Sequence, residues 1–196
     1  MRKAEVFRKT TETDVSLRLD LDSCCASPID TSLPFLDHML LLLAKHGNLY
    51  LNISAKGDTE IDDHHLVEDV GICLGKAVNQ ALGERKGIAR YGWALVPMDE
   101  SLCKAALDIS GRPYLVFNVK LANRRRLGTF DPALVKEFFK AFTDHAAVTL
   151  HINLEYGSNT HHIVEGIFKA FALALKMAVA SSGVQDDVPS SKGRIG

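Results

Sequence analysis

The chain has almost no net charge: 23 Lys and Arg stand against 24 Asp and Glu, leaving −1 over 196 residues. Without a bulk positive field nothing pulls it toward nucleic acid or an anionic membrane, and neither is expected as a partner. Long apolar runs are missing too. A run such as Met39 to Ala44, which no other exceeds, is far too short to cross a bilayer. The opening residues Met1-Arg2-Lys3-Ala4-Glu5 lack the hydrophobic stretch of a secretory leader. Cysteine is scarce: residues 24, 25, 73 and 103 show no Cys-x-x-Cys spacing, and Cys24 and Cys25 are neighbours, which rarely bridge. Reduced thiols in a cytoplasmic compartment are expected, or in a plastid if a transit peptide has been removed. The His-Glu-x-x-His helix signature of a metallopeptidase is also absent. What remains is a chain with 46% hydrophobic residues, enough to bury a proper core as one domain or two tightly packed halves.

One short stretch occurs twice. His64-His65-Leu66-Val67-Glu68 returns as His161-His162-Ile163-Val164-Glu165, about half a chain later. On a helix the first His and the Glu are i and i+4 and share a face, while the second His lies a step round. Each copy can therefore offer a His/Glu pair to one ion and its other His to a second. Imidazole with carboxylate suits borderline divalent metals such as Zn, Mn, Fe or Ni. Two solvated helix starts would explain one copy, but they explain a spaced pair poorly.

The elements around the motifs also repeat. Residues 4 to 21 alternate as a β-hairpin whose turn, Thr10-Thr11-Glu12-Thr13, puts Glu12 at a strand edge. A loop over 22–32 leads to a helix that starts at Pro34, contains His38 and is capped by Gly47. A strand over 49–55 follows, and Asp62 or Asp63 caps the first motif helix, which ends near Gly83. The pattern then restarts. Glu100 precedes a strand over 102–108, and Glu12 and Glu100 are as far apart as Asp20 and Asp108. Next come a turn at Ser110-Gly111-Arg112-Pro113, a strand over 114–121, the basic run Asn123-Arg124-Arg125-Arg126, and a helix from Asp131-Pro132. In a strand over 148–154, His151 alternates with Leu150 and Ile152, and Gly157-Ser158-Asn159-Thr160 caps the second motif helix. Residues 183–196 form a polar tail. The expected class is α+β: half-repeats at 1–90 and 91–183 with a tail at 184–196, each half carrying one sheet, and the helices stacked between the two sheets.

Five segments together resemble the imidazoleglycerol-phosphate dehydratase family of histidine biosynthesis. They are Leu33-Pro34-Phe35-Leu36-Asp37-His38, Asp62-Asp63-His64-His65 with Glu68-Asp69, Ser110-Gly111-Arg112-Pro113, the second His-His motif, and Pro189-Ser190-Ser191-Lys192-Gly193. The similarity runs from about Arg8 to Lys192, and the monofunctional form is expected, without the phosphatase domain some members carry. The resemblance implies duplicated halves of the ribosomal protein S5 domain 2 type and a homo-oligomer of 24 subunits with manganese(II) at subunit interfaces, two ions per active site. It implies metal ligation by His38, His64, His65, Glu68, His151, His161, His162 and Glu165. It also implies substrate contacts from Glu12, Arg90, Arg112, Lys169, Ser190 and Lys192, with Glu12 and His38 catalytic. Arg126 is a further phosphate candidate, whereas His46 and His145 are left as structural. One departure stands out: members often place Thr-Gly before the Pro-Phe-Leu-Asp-His run, and here the residues are Thr31-Ser32-Leu33.

The implied reaction removes water from imidazole glycerol phosphate to give imidazole acetol phosphate. The C–H to be broken lies beside a carbinol, so an enolate route is closed. An azole with metal at both nitrogens can instead ionise to imidazolate and push out the neighbouring hydroxyl through a diazafulvene-type intermediate. Glu12 is the expected proton carrier, with its repeat counterpart Glu100 as the fallback. A dinuclear metallohydrolase is the alternative enzyme. A metal store would explain the histidines but not Glu12, Arg112 and Lys192.

Overall fold

The computed structural model describes residues 1–121, 125–184 and 187–195. The first half runs β1 (Lys3–Lys9), β2 (Thr13–Asp20), β3 (Ile29–Asp30), α1 (Pro34–Gly47), β4 (Tyr50–Gly57) and α2 (His64–Leu82). The second repeats that order: β5 (Tyr91–Met98), β6 (Ser101–Asp108), β7 (Tyr114–Asn118), α3 (Leu134–Ala146), β8 (Thr149–Tyr156) and α4 (Thr160–Val179). Each half forms a four-stranded sheet, β1-β2-β4-β3 and β5-β6-β8-β7, with one parallel pair at the β3 or β7 edge. The architecture is the expected duplicated α+β arrangement.

The helices pack across the halves, α1 on α4 and α2 on α3. Their inward faces carry Leu36, Met39, Leu40 and Leu43 from α1 and Phe138, Phe139, Phe142, Phe168 and Phe171 from α3 and α4, all essentially buried. The phenylalanine rings interleave at centroid distances between 4.9 and 5.4 Å. Both helix pairs run parallel. His38 meets Glu165 near one end and Gly47 approaches Ala172 further along. Gly71 likewise approaches Phe138 and Gly75 approaches Phe142. A Cβ on Gly75 would sit 2.5 Å from the Phe142 carbonyl oxygen, so only glycine permits this approach. Parallel packing brings helix starts together: Phe35 stacks near Phe130 at 5.2 Å, and Asp63 lies in the field of Arg126 and Asp131.

Several boundaries differ from expectation. β5 was not anticipated, and neither was the two-residue β3. α1 is closed by Asn48 in the left-handed conformation (φ 54°), not by Gly47, which is still helical. β7 ends at Asn118, and of the basic run Asn123 and Arg124 lie outside the described residues. Arg126 donates to the Thr129 carbonyl in its own loop. Among the described residues no helix is long and apolar enough to cross a membrane.

Candidate active site

The first turns of α1 and α4 build one cluster. Asp37 accepts from the Thr31 amide at 2.8 Å and the Thr31 hydroxyl at 2.6 Å, which fixes the chain entering α1 just before His38. Asn159 caps α4, its side chain accepting from the His161 and His162 amides. His161 Nε2 then lies 3.2 Å, and His38 Nε2 3.6 Å, from Glu165 Oε2. The other carboxylate oxygen, Oε1, is 2.6 Å from Lys169 Nζ. Among the described residues His38, His161 and Glu165 are the group of three potential ligands whose donor atoms all lie within 4.8 Å of one another. Two imidazole nitrogens and a carboxylate oxygen at that spacing suit a borderline divalent cation. Burial alone would raise the Glu165 carboxyl. The Lys169 ammonium, then His161 and His38, outweigh it and hold Glu165 below the usual carboxylate range.

The second histidine of each motif turns the other way, toward an acidic group. His162 Nδ1 donates to Glu100 Oε2 at 2.6 Å. His65 Nδ1 donates to Asp58 at 3.0 Å, with Glu12 Oε2 3.9 Å off. These bonds raise both histidines above the ordinary imidazole value, through Asp58 for His65 and Glu100 for His162. They also occupy Nδ1, the arrangement in which a carboxylate orients a metal-ligating imidazole, and His162 Nε2 lies 3.8 Å from Asp99 Oδ2.

The two hairpin glutamates, alike in sequence, are unlike in place. Glu100 accepts from His162, from the Ser158 and Asn159 amides and from the Ser101 hydroxyl. The bond from His162, then that from the Asn159 amide, hold its carboxyl far below the usual range. With both carboxylate oxygens engaged in these four bonds, Glu100 is held in place by its own side chain. Glu12 keeps its side chain about half exposed.

The other candidates are dispersed. His64 and Glu68 sit on the first turns of α2 and do not join the cluster. His151 is exposed on the outer face of β8, in one register row with Ala106 and Trp93. Arg90 pairs with Asp108 through Nε at 2.8 Å and donates to the Pro189 carbonyl at 2.7 Å, which docks the tail beside Ser190 and Lys192. Its amide donates to the Ala178 carbonyl, at the end of α4 remote from His161. At 1.5 Å per helical residue the two ends are about 25 Å apart. Arg112 lies exposed in the turn after β6, at the Asp108 end. Lys169 alone of the substrate-contact cations stands beside the cluster. His46 is held low by burial, then by Lys169, and His145 donates to the Ala141 carbonyl of its own helix. Burial pushes the Cys73 and Cys103 thiols up to about 11, so neither is a nucleophile at neutral pH.

Sequence reasoning missed Asp58 as the partner of His65 and the lock on Glu100. Asp58 carried no repeat signal, whereas the shared interval of Glu12 and Glu100 was a usable one. Ser32, the departure noted above, has φ 62°. A non-glycine residue there costs about 1 kcal/mol, offset in part by its hydroxyl donating to the Ala55 carbonyl at 3.2 Å. Ser32→Gly is expected to raise stability by a few tenths of a kcal/mol, read as the denaturation midpoint, and a clear loss would contradict the strain.

A duplicated α+β fold with a His/carboxylate cluster at helix starts defines the chain as a candidate metal-dependent enzyme. The family model described as imidazoleglycerol-phosphate dehydratase matches residues 31–175. The chain is 56% identical over 193 residues to the imidazoleglycerol-phosphate dehydratase of Syntrophus aciditrophicus, covering 98% of each, and 52% identical over 195 residues to that of Oceanobacillus iheyensis, covering 100% of each. The crystal structure of the Staphylococcus aureus enzyme superposes with a TM-score of 0.84 at 42% identity, covering 92% of this chain and 99% of that one. The enzyme from Pyrococcus furiosus, solved in complex with (S)-C348, also gives 0.84, at 36% identity over 97% of this chain and 100% of that one. The chain belongs to the imidazoleglycerol-phosphate dehydratase family and is a hydro-lyase.

Proposed function

We propose that this chain converts imidazole glycerol phosphate to imidazole acetol phosphate with two manganese(II) ions per active site, in a homo-oligomer of 24 subunits. The observation that carries the metal reading is the convergence of His38, His161 and Glu165. His65 and His162, oriented through Nδ1 by Asp58 and Glu100, suit the same role through Nε2. His64, Glu68 and His151 would complete the set from neighbouring subunits. Bound to an azole, divalent ions supply the positive charge that lets the ring lose its N–H proton and release hydroxide.

The rest falls to the chain's own side chains. Glu12, half exposed and 3.9 Å from His65, takes the side-chain proton and returns it as the enol becomes a ketone. Arg112, Ser190 and Lys192 hold the phosphate, and Arg90 anchors the tail that brings the last two. Lys169 holds Oε1 of Glu165 and leaves Oε2 facing His161 and His38. A substrate about 8 Å long cannot reach from the His161 end of α4 to the Arg90 end, so the phosphate contacts are assigned to a different subunit from the cluster.

Assembly is further supported by the outer sheet faces. That of the first half carries paired charge, Glu5 against Arg18 and Lys9 against Asp14, around an exposed Phe7. That of the second shows Tyr91, Trp93 and Leu95, each more than half exposed, on the face that holds His151, with Trp93 in its register row. An apolar face around a candidate ligand fits a second copy. The direct test is to supply imidazole glycerol phosphate and follow ketone formation and inorganic phosphate together. Ketone without phosphate is expected. Phosphate release without ketone would favour the dinuclear hydrolase.

A further inference from the structure

We infer that Asp69, acting through Thr13 and Thr10, is a positioning residue that sets the Glu12 carboxylate over the first histidine motif. The inference rests on the proton role of Glu12 proposed above. Asp69 follows Glu68 on α2 and is 6% exposed, a buried acid whose function the ligand set does not explain. Its Oδ2 accepts from the Thr13 hydroxyl, and its Oδ1 forms an ion pair with Arg8 Nε at 2.8 Å. With the Thr13 proton committed to Asp69, the 3.2 Å contact between the two threonine hydroxyls has one direction: Thr10 donates to Thr13. Thr10 Oγ1 in turn accepts from the Glu12 amide at 3.1 Å and the Thr13 amide at 2.9 Å. A continuous chain of donors thus runs from the Glu12 backbone to a buried carboxylate, in which each bond polarises the next. The Glu12 carbonyl is held separately, accepting from the Asp58 amide at 3.1 Å. Asp58 is also the partner of His65, so one turn fixes both the base and the imidazole beside it.

The second half lacks this device, and the contrast identifies its purpose. Thr10 and Thr13 correspond to Met98 and Ser101, at the interval separating Glu12 from Glu100, and Asp69 corresponds to Gly166, at the interval separating the two motifs. Where a Cβ of Gly166 would stand, Cys103 Sγ lies 3.0 Å away. There the glutamate is gripped by its carboxylate. In the first half the turn is gripped by its backbone and the carboxylate is left to work.

Thr13→Val keeps the buried volume and removes the hydroxyl. It is expected to lower kcat about 10- to 100-fold with KM, metal content and particle mass unchanged, and to speed hydrogen exchange at the Glu12 amide. Thr13→Ser should restore most of the rate and the protection. Asp69→Asn, which retains an acceptor but loses the Arg8 pair, should fall between the two. Wild-type kcat in Thr13→Val, or a loss of rate matched by loss of metal, would overturn the inference. Glu12→Gln, run alongside, separates the two readings. If it is inactive while Thr13→Val is not, the positioning claim alone fails; if Glu12→Gln is fully active, the proton role itself fails.

Discussion

Glu12→Gln is expected to abolish most turnover, by on the order of 10²- to 10⁴-fold, while the protein keeps its metal and its mass. The expectation follows from where the two hairpin glutamates sit. Glu12 contributes no atom to the cluster of His38, His161 and Glu165, and its carboxylate is half exposed beside His65. Removing its charge leaves the ligands in place and takes away only the group that moves a proton. Glu100→Gln should behave oppositely. It loosens the bond that orients His162, so metal is held more weakly and activity returns at high metal concentration. Steady-state rates paired with elemental analysis check both, and undiminished turnover in Glu12→Gln would assign the proton to another group.

With ions bridging subunits as proposed, chelation and acid should each strip them and break the oligomer into smaller species. Ligation needs neutral imidazole, so protons and metal compete. Asp58 and Glu100 raise His65 and His162 above the ordinary value near 6.5. The same carboxylates favour a protonated and a metal-bound ring alike, so metal loss is expected as pH falls into the range where the imidazoles protonate. In the metal-free chain the sign reverses. A group raised on folding contributes stability that is full below its unfolded pKa and is lost as pH rises through the folded one. The acid-induced change should accordingly be a loss of mass in the metal-loaded particle and not an unfolding of the chain. Light scattering across pH 5 to 8, with and without chelator, reads this directly. Complete metal loss at constant mass would contradict ions shared between subunits.

The helices and most strands were legible because their faces alternate as burial requires. The motif helices carry apolar residues at helical spacing, and β2 and the first half of β8 alternate. β5 was not legible because its pattern is inverted. Gly92 and Ala94 point inward against α4, while Tyr91, Trp93 and Leu95 point out. A strand with its small residues in the core and its large ones outside reads backward unless a second copy covers that face. The same cause hid part of the site. His151 alternates outward as read, but among the described residues it joins no group of potential ligands. The cluster was half legible: helical spacing pairs His161 with Glu165, whereas His38 arrives only through the packing of α1 on α4. The roles of Glu12 and Glu100 could not be separated from sequence, because the difference lies in Asn159 and Ser158 at the start of α4, brought to one hairpin and not the other.

In the proposed assembly each active site is completed across a subunit boundary, with the motif cluster from one chain and the phosphate contacts from another. Two variants, His161→Ala and the double substitution Ser190→Ala with Lys192→Ala, are expected to be inactive alone. Co-assembled in equal amounts, they should recover about a quarter of wild-type activity, since one site in four then draws an intact motif and an intact tail from different chains. Mixed particles no more active than either parent would place both halves of the site in one chain and contradict the account.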